Sequence, residues 1–463
     1  MDTAVSLRVA PVPSDLDGLA AALRGRLLRP TDAAYQADHL VWNAAAQGTP
    51  VAIARAADAI DVATTVDYAR EAGLEIAVRS GGHSLAGHST GDGVLVVDMR
   101  DLRGLHVDLD GGLVWAGAGL TAGEVTTALA EYGMAVPFGD TATVGIAGLT
   151  LGGGIGWLAR KHGLAIDSLA AAELVTADGQ VLTASAEDHP DLFWALRGGG
   201  GNFGVVTRFC YRLSAVGDVL GGALVLPATR NVLRSLVPIA TSAPEELTTI
   251  GFLMAAPPAP FVPEEHHGKP SLVLMFVYAG DPAEGHRAIA PFLQVAEPYA
   301  VAAMPMPYPG IYEFTREGEA RAASTTRSVF LDTLDDASVD AILSAFEVAP
   351  EAAMIQLRAF GGAMGRVPAD ATAFAHRAAA AQVTIINPFL DPVQTEAAVS
   401  WNRALYAALE PRSAGVYVNF LENEGQARVR QAYPAPTYRR LAGIKRRYDP
   451  ENLFRRNQNI VPA

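Results

Sequence analysis

The chain reads as an α+β protein made of two unlike halves, and three observations predict it. Between Val51 and Asp98, short apolar strands alternate with an amphipathic helix. Residues 134–204 are instead rich in glycine and loop. Beyond Gly217, strands recur between amphipathic helices with weak β–α–β regularity. There is no internal repeat and no low-complexity linker.

The elements follow from local pattern. Leu16, Leu19, Leu23 and Leu27 recur at helical spacing behind Pro13-Ser14-Asp15, which supplies a cap. Val51–Ala54 is a short strand and Asp58–Ala72 an amphipathic helix closed by Gly73. Ile76–Arg79 is a strand that runs into Ser80-Gly81-Gly82-His83-Ser84. Val94–Asp98 and Leu113–Gly117 are further strands, and Thr121–Tyr132 is a helix. Asp178-Gly179 marks a hairpin within Ala172–Thr183. In the second half, strands are expected at Val219–Leu226, Thr249–Ala255, Ser271–Val277, Ile355–Phe360 and Gln382–Asn387. Helices are expected at Arg230–Thr241, Pro282–Val295, Ala337–Glu347 and Val393–Leu409. The alternating prolines of Met304–Pro309 predict a loop. A basic helix carrying Leu441, Ile444 and Lys445 ends at Asp449-Pro450.

Composition narrows the function classes. The 463 residues carry a formal charge of −14, with Lys only at 161, 269 and 445, so no basic face invites nucleic acid. Cys210 stands alone, which excludes an intrachain disulfide framework and a Cys-cluster metal site, and no metal is expected. It falls in the strand-like run Val205–Leu213 as a structural thiol. The N-terminus has no basic-then-apolar signal, and the longest uncharged run, Thr141–Ala159, contains six glycines. A cytoplasmic protein with no membrane span is the expectation.

Three glycine-rich segments carry the chemistry. In the first, Val78-Arg79-Ser80-Gly81-Gly82-His83-Ser84 with Gly87, a strand ends in a turn whose amides are free to face an anion. Alternatively, the glycines make only a turn, and His83 is a loop histidine. The second, Thr143–Gly148 followed by Leu151–Gly156, contains Gly154-x-Gly156-x-x-Ala159. That spacing fits a relaxed dinucleotide fingerprint, but the stretch before it makes a poor buried strand. The third is Arg197–Thr207, with four consecutive glycines leading into a strand. Each glycine costs folding entropy, so one large phosphate-bearing ligand explains the three together better than turns alone.

With these residues, and with Trp157–Leu164, Gly361-Gly362-Ala363, Tyr417-Val418-Asn419 and Asn457-Gln458-Asn459, the chain resembles the vanillyl-alcohol-oxidase/PCMH superfamily of FAD-linked oxidases. Within it, the match is to the berberine-bridge-enzyme-like group. The resemblance implies a two-domain PCMH-type FAD-binding fold with an antiparallel-sheet substrate domain flanked by helices. It implies an FAD-binding domain over 1–213, a substrate-binding domain over 214–414, and a C-terminal segment, 415–463, that returns to the first.

The resemblance also implies roles. Val78, Arg79, Ser80, Gly81, Gly82, His83, Ser84 and Gly87 would hold FAD, with His83 bonded to the flavin 8α-methyl. Thr141, Thr143, Val144, Gly145, Gly148, Leu151, Gly152, Gly153, Gly154, Gly156 and Trp157 would hold it from the second segment. Gly204, Val205, Val206, Asn419 and Asn457 complete the set. Many relatives have a second link from a Cys where this chain has Thr141, which cannot form a thioether, so one link is expected. Tyr417 and Asn419 are expected to share a strand face. The resemblance makes Tyr417 the candidate for substrate deprotonation, against the reading of a strand aromatic with a satisfied hydroxyl. No carboxylate follows His376-Arg377 on the strand at Gln382–Ile385. Gln356 and Arg358 share one face of their strand, lining either a polar pocket or solvent, and Gln356 joins Tyr417 as a catalytic candidate.

The activity so implied is an FAD-dependent oxidase. It passes hydride from a small alcohol, amine or activated C–H substrate to a covalent flavin, which O₂ reoxidises to give H₂O₂. A flavin-dependent oxygenase of natural-product biosynthesis, a non-catalytic flavoprotein and a nicotinamide dehydrogenase are the alternatives. The partners are a small-molecule substrate and O₂, with a monomer and a homodimer both open. Met304–Pro309 and the strands over 355–387 are expected to shape the pocket, where an apolar lining with few polar groups would suit a small aromatic, polyketide-like or alkaloid-like molecule and a sugar stays open.

Overall fold

The computed structural model describes residues 12, 14–389 and 395–463. Pro13 and the start of the helix expected from Val393 lie outside them. Among the described residues, no helix is long and apolar enough to cross a membrane.

The first half holds two sheets. In the smaller, Ala52–Arg55 and Ile76–Arg79 both run parallel to Leu95–Asp98 between them, and Arg26–Leu28 adds an antiparallel edge. Helix Ala59–Ala72 crosses from Ala52–Arg55 to Ile76–Arg79, the two parallel strands that flank Leu95–Asp98. Asp58 caps it by accepting from the amides of Ile60 and Asp61 at 2.9 and 3.0 Å, and Gly73 ends it at φ 66°. The second sheet is antiparallel, in the order Leu105–Asp108, Leu113–Gly117, Val205–Arg212, Leu169–Val175, Val181–Ser185. Cys210 is buried within it, between Trp115 and Ala171 on the flanking strands.

The second half is built on one eight-stranded sheet. Its order is Ala300–Met306, Val219–Pro227, Pro270–Tyr278, Leu247–Ala255, Met354–Ala359, Ala381–Phe389, Ala323–Leu331, Ser413–Gly415. Every pairing in it is antiparallel. Alternation gives its two faces opposite characters. Leu357, Val383, Ile385 and Val329 point to a core closed by Leu233, Leu236, Ile342 and Leu405 of the covering helices. The residues between them on the same strands are Gln356, Arg358, Gln382, Thr384 and Ser328, all buried. This polar face looks toward the first half.

Five local expectations change. The helix expected through Leu27 stops at Ala22, and Leu27 lies instead in the edge strand Arg26–Leu28. Met304–Met306 is not loop but the end of an edge strand, where the missing amide of Pro305 breaks no ladder on the outer side. The chain then winds through a 3₁₀ segment, Tyr308–Glu319. Within the second glycine segment, Ile146–Gly152 is a helix rather than loop, with Gly148 on its exposed side. Tyr417 and Asn419 do not share a strand; Ser413–Gly415 ends first, and Val418–Phe420 is a 3₁₀ turn. Strand Ala323–Leu331 was not expected at all: its Ser-Thr-Thr-Arg start is polar because half of it belongs to the polar face.

Helix Ala435–Tyr448 brings the C-terminus back onto the first half. Lys445 is fully buried there and donates to Asp449, to the carbonyl of Asn202 and to that of Phe454, each at 2.8 Å. Removing one partner of such a pair strands a charge in the interior, at a cost of about 3–5 kcal/mol.

Candidate active site

The site is assembled from backbone on one side and side chains on the other. Loop 80–84 leaves the C-terminal end of a parallel strand, the usual position of a ligand site in such sheets. Arg79, at its root, is buried and anchors the strand end: Nε and Nη2 donate to Asp98 at 3.1 and 2.8 Å. Burial pulls its pKa down and Asp98 opposes that, while Nη1 is buried without a partner. Val78 precedes it on the strand, Ser80 donates to the carbonyl of Ala118 at 2.6 Å, and the Ser84 hydroxyl accepts from the amide of His88 at 3.2 Å. Gly82 and Gly87 adopt φ 73° and 70°, conformations that favour glycine.

The three glycine segments meet. A Cβ on Gly81 would strike the backbone nitrogen of Gly145, and one on Gly145 would strike that of Gly81, so the first two loops touch main chain to main chain. Thr143 and Gly148 are exposed beside them, and Val144 accepts from Ala122 at 2.9 Å. Thr141 is half-buried and donates to Asp140 at 3.3 Å. The carbonyl of Leu151 accepts from the amides of Gly198 and Gly200 at 3.0 and 2.9 Å, which docks the third segment onto the second. Gly152 leaves room for the Asn419 side chain, Gly153 for the rings of Phe374 and Tyr417, and Gly156 for the carbonyl of Phe138. Trp157 is fully buried. Gly204 passes tightly under the Val175 carbonyl, and Val205 and Val206 pair with Val175 and Leu174. Asn457 joins the C-terminal tail to the third segment, donating to Gly201 at 3.0 Å, with its buried Oδ1 unpartnered.

His83 lies half-buried on the first loop, its ring stacked on Trp42 with centroids 5.6 Å apart and planes 21° off parallel. Burial alone pushes its pKa down to about 4, so the imidazole is neutral at pH 7.

Across from the cradle, Tyr417 is brought to Gly154 by the 3₁₀ turn. Its hydroxyl oxygen accepts from the Gly154 amide and from Asn419 Nδ2, both at 2.9 Å. With two donors on its oxygen, the phenol's own proton points in the remaining direction. Burial raises its pKa, and the two hydrogen bonds and the nearby Arg358 work against that rise. Arg358 donates through Nε to Gln356 at 2.7 Å and through Nη2 to Asp140, and its guanidinium lies 5.6 Å from the Phe420 ring centre. Gln356 is therefore buried in a polar cluster, not on a solvated face, while the rings of Phe330, Phe374 and Phe420 surround Tyr417. Sequence reasoning missed Asp140 as the partner of Arg358. It missed Trp42 as well. Neither carries a local motif, since each is matched with its partner only by long-range folding.

This fold and cradle define a flavin-dependent oxidoreductase, and comparison with known proteins places it more narrowly. Residues 50–185 match the FAD binding domain family, and residues 416–461 match the berberine and berberine-like family. The chain is 31% identical to (R)-6-hydroxynicotine oxidase of Paenarthrobacter nicotinovorans, over 95% of this chain and 97% of that one. The crystal structure of 6-hydroxy-D-nicotine oxidase from Arthrobacter nicotinovorans superposes with a TM-score of 0.85 at 29% identity, covering 95% and 98%. Glucooligosaccharide oxidase from Acremonium strictum, whose FAD is 6-S-cysteinyl and 8α-N1-histidyl, shares the fold with a TM-score of 0.86 at 22% identity, covering 96% and 98%. The chain belongs to the vanillyl-alcohol-oxidase/PCMH superfamily of FAD-linked oxidoreductases, in its berberine-bridge-enzyme-like group.

Proposed function

We propose that the protein is an FAD oxidase with a single covalent tether at His83. It takes hydride from a small alcohol, amine or activated C–H substrate and returns the electrons to O₂ as H₂O₂. FAD fits the residues present. Gly81 and Gly145 bring the first two loops together main chain to main chain, Gly148 beside them faces open space, and the buried Arg79 Nη1 and Asn457 Oδ1 have no partner within the protein, which leaves polar groups and backbone for a pyrophosphate. His83, Ser84 and Gly87 hold it from the first loop, Thr141 to Gly156 from the second, Gly204 to Val206 from the third, and Asn419 and Asn457 from the C-terminal segment. Bound there, FAD supplies a two-electron acceptor.

The observation that carries the reading is Tyr417. An oxygen already taking two N–H donors can hold negative charge, so Tyr417, once its own proton has left to solvent, receives the substrate proton as the phenolate, while Gln356 and Arg358 orient the polar end of the molecule. The neutral His83 ring is a competent nucleophile. Thr141 offers no second thioether, and Cys210 is buried in a different sheet.

Two measurements test this. Acid precipitation of the purified protein should leave yellow colour in the pellet, and His83→Ala should release it; full release from the wild type would refute the tether. A screen of small alcohols, amines and N-heterocycles for H₂O₂ release tests the oxidase. Oxygen from labelled O₂ in the product, without stoichiometric H₂O₂, would instead identify an oxygenase.

A further inference from the structure

Trp42 stands against the side chain of the first glycine loop that matters for tethering. Its indole stacks on His83, 5.6 Å between centroids and 21° off parallel. Both ends of the residue are pinned. Its amide donates to the carbonyl of Gly82, the residue before His83, at 3.1 Å. Its Nε1 donates to the carbonyl of Gly318 in the substrate-domain 3₁₀ segment at 3.1 Å.

The flanking residues are held the same way. The Val41 carbonyl accepts from Arg321 at 3.0 Å. The amide of Ala44 donates to Ala322 at 3.0 Å, and Asn43 donates to Leu85 at 2.8 Å. Residues 41–44 thus form a collar between the first loop and the substrate domain, with the indole as its wall.

We infer that Trp42 is a positioning residue for covalent attachment at His83: the stacked indole fixes the imidazole plane so that a ring nitrogen is aimed at the flavin 8α-carbon. The inference rests on the tether proposed above. In that step a His83 nitrogen forms a bond to the 8α-carbon, and one methyl C–H and the imidazole N–H are lost as protons. The electron pair passes to the flavin and then to dioxygen, which leaves as H₂O₂. Orientation matters because an imidazole free to turn about its side-chain bonds presents its lone pair to the carbon only a small part of the time. The collar also explains why the wall is tied to the other domain, since the ring is set only when both halves are closed on it.

The test uses Trp42→Leu, Trp42→Phe and wild type, produced with limited flavin and then given FAD in air. The covalent fraction is followed by intact mass and acid precipitation, and total FAD by absorbance before denaturation. Trp42→Leu should bind FAD to the wild-type level but couple it roughly 10- to 100-fold more slowly. Trp42→Phe, which keeps a flat ring, should recover most of the rate. Equal coupling rates in wild type and Trp42→Leu would overturn this inference alone. A wild type that releases all its FAD would overturn the tether and this inference with it. Loss of FAD altogether in both variants would make Trp42 part of the cradle's assembly and overturn the positioning role.

Discussion

The two walls of the site are built on opposite principles. The cradle excludes side chains: Gly81 and Gly145 meet main chain to main chain, and Gly152, Gly153 and Gly156 each make room for a neighbour. The sheet wall is made of side chains, with Gln356, Arg358, Gln382, Thr384 and Ser328 buried on one face and Asp140 reaching over to Arg358. A cofactor common to a whole superfamily can be held by backbone, which every sequence possesses. A particular substrate needs side chains, and those are free to differ. The cradle should therefore fail through added volume, and the sheet wall through lost charge or hydrogen bonds.

Gly145→Val is the largest expected effect. Its Cβ runs into Gly81, backbone that cannot yield, so the purified protein should carry no FAD, as read from the flavin absorbance. Tyr417→Phe should do the reverse: FAD content is kept, while kcat falls roughly 10²- to 10⁴-fold, the usual worth of a proton acceptor. Because burial raises the Tyr417 pKa, wild-type kcat should climb toward alkaline pH, and the Phe variant should lose that climb. Asp140→Asn comes next. It leaves the buried Arg358 guanidinium without its carboxylate, at a cost of about 3–5 kcal/mol, seen as a lower Tm and a raised KM with FAD retained.

The same division decides what the sequence revealed. Gly81-Gly82 and Gly152–Gly154 announce themselves because only glycine tolerates such crowding and such dihedrals, so the close junctions between the glycine segments are legible residue by residue. Arg358 is visible on its strand, but its pairing with Asp140 spans 218 positions and exists only once the two halves of the chain come together. The Trp42–His83 stack is hidden in the same way. Tyr417 and Asn419 were rightly paired for the wrong reason, since a 3₁₀ turn and not a strand brings Asn419 Nδ2 to the Tyr417 oxygen. At Met304–Met306, proline was read as a loop former when the sheet edge tolerates it.

Glu422, five residues past Tyr417, tests whether the polar wall is finely balanced. Burial raises its pKa from 4.5 to about 7, against hydrogen bonds from Thr326 and Thr325. The folded state then keeps a proton that the unfolded chain gives up. This contribution is fully present below about pH 4.5 and is lost as pH rises to about 7, a change on the order of 3 kcal/mol. Glu422→Gln removes the titration, so Tm should vary less between pH 5 and pH 8 than in the wild type. An unchanged pH profile would show that the carboxyl is not buried from water as the fold requires.

The smallest effect is the most discriminating, because its sign depends on what lies against the cradle. Gly148 sits in helix Ile146–Gly152, exposed, and a Cβ built there meets no protein atom within 4 Å. Within the protein alone, Gly148→Ala is therefore an improvement. It removes backbone entropy from the unfolded chain and raises helix propensity, worth about 1 kcal/mol, so the Tm of FAD-free protein should rise by a few degrees. If FAD is pressed against this helix, the same methyl intrudes on it, and the gain should vanish or reverse once FAD is bound. Measuring Tm with and without FAD for wild type and Gly148→Ala thus gives a difference of differences. A stabilisation that survives FAD binding would move the cofactor off this helix and leave the Gly81–Gly145 junction as the cradle's centre.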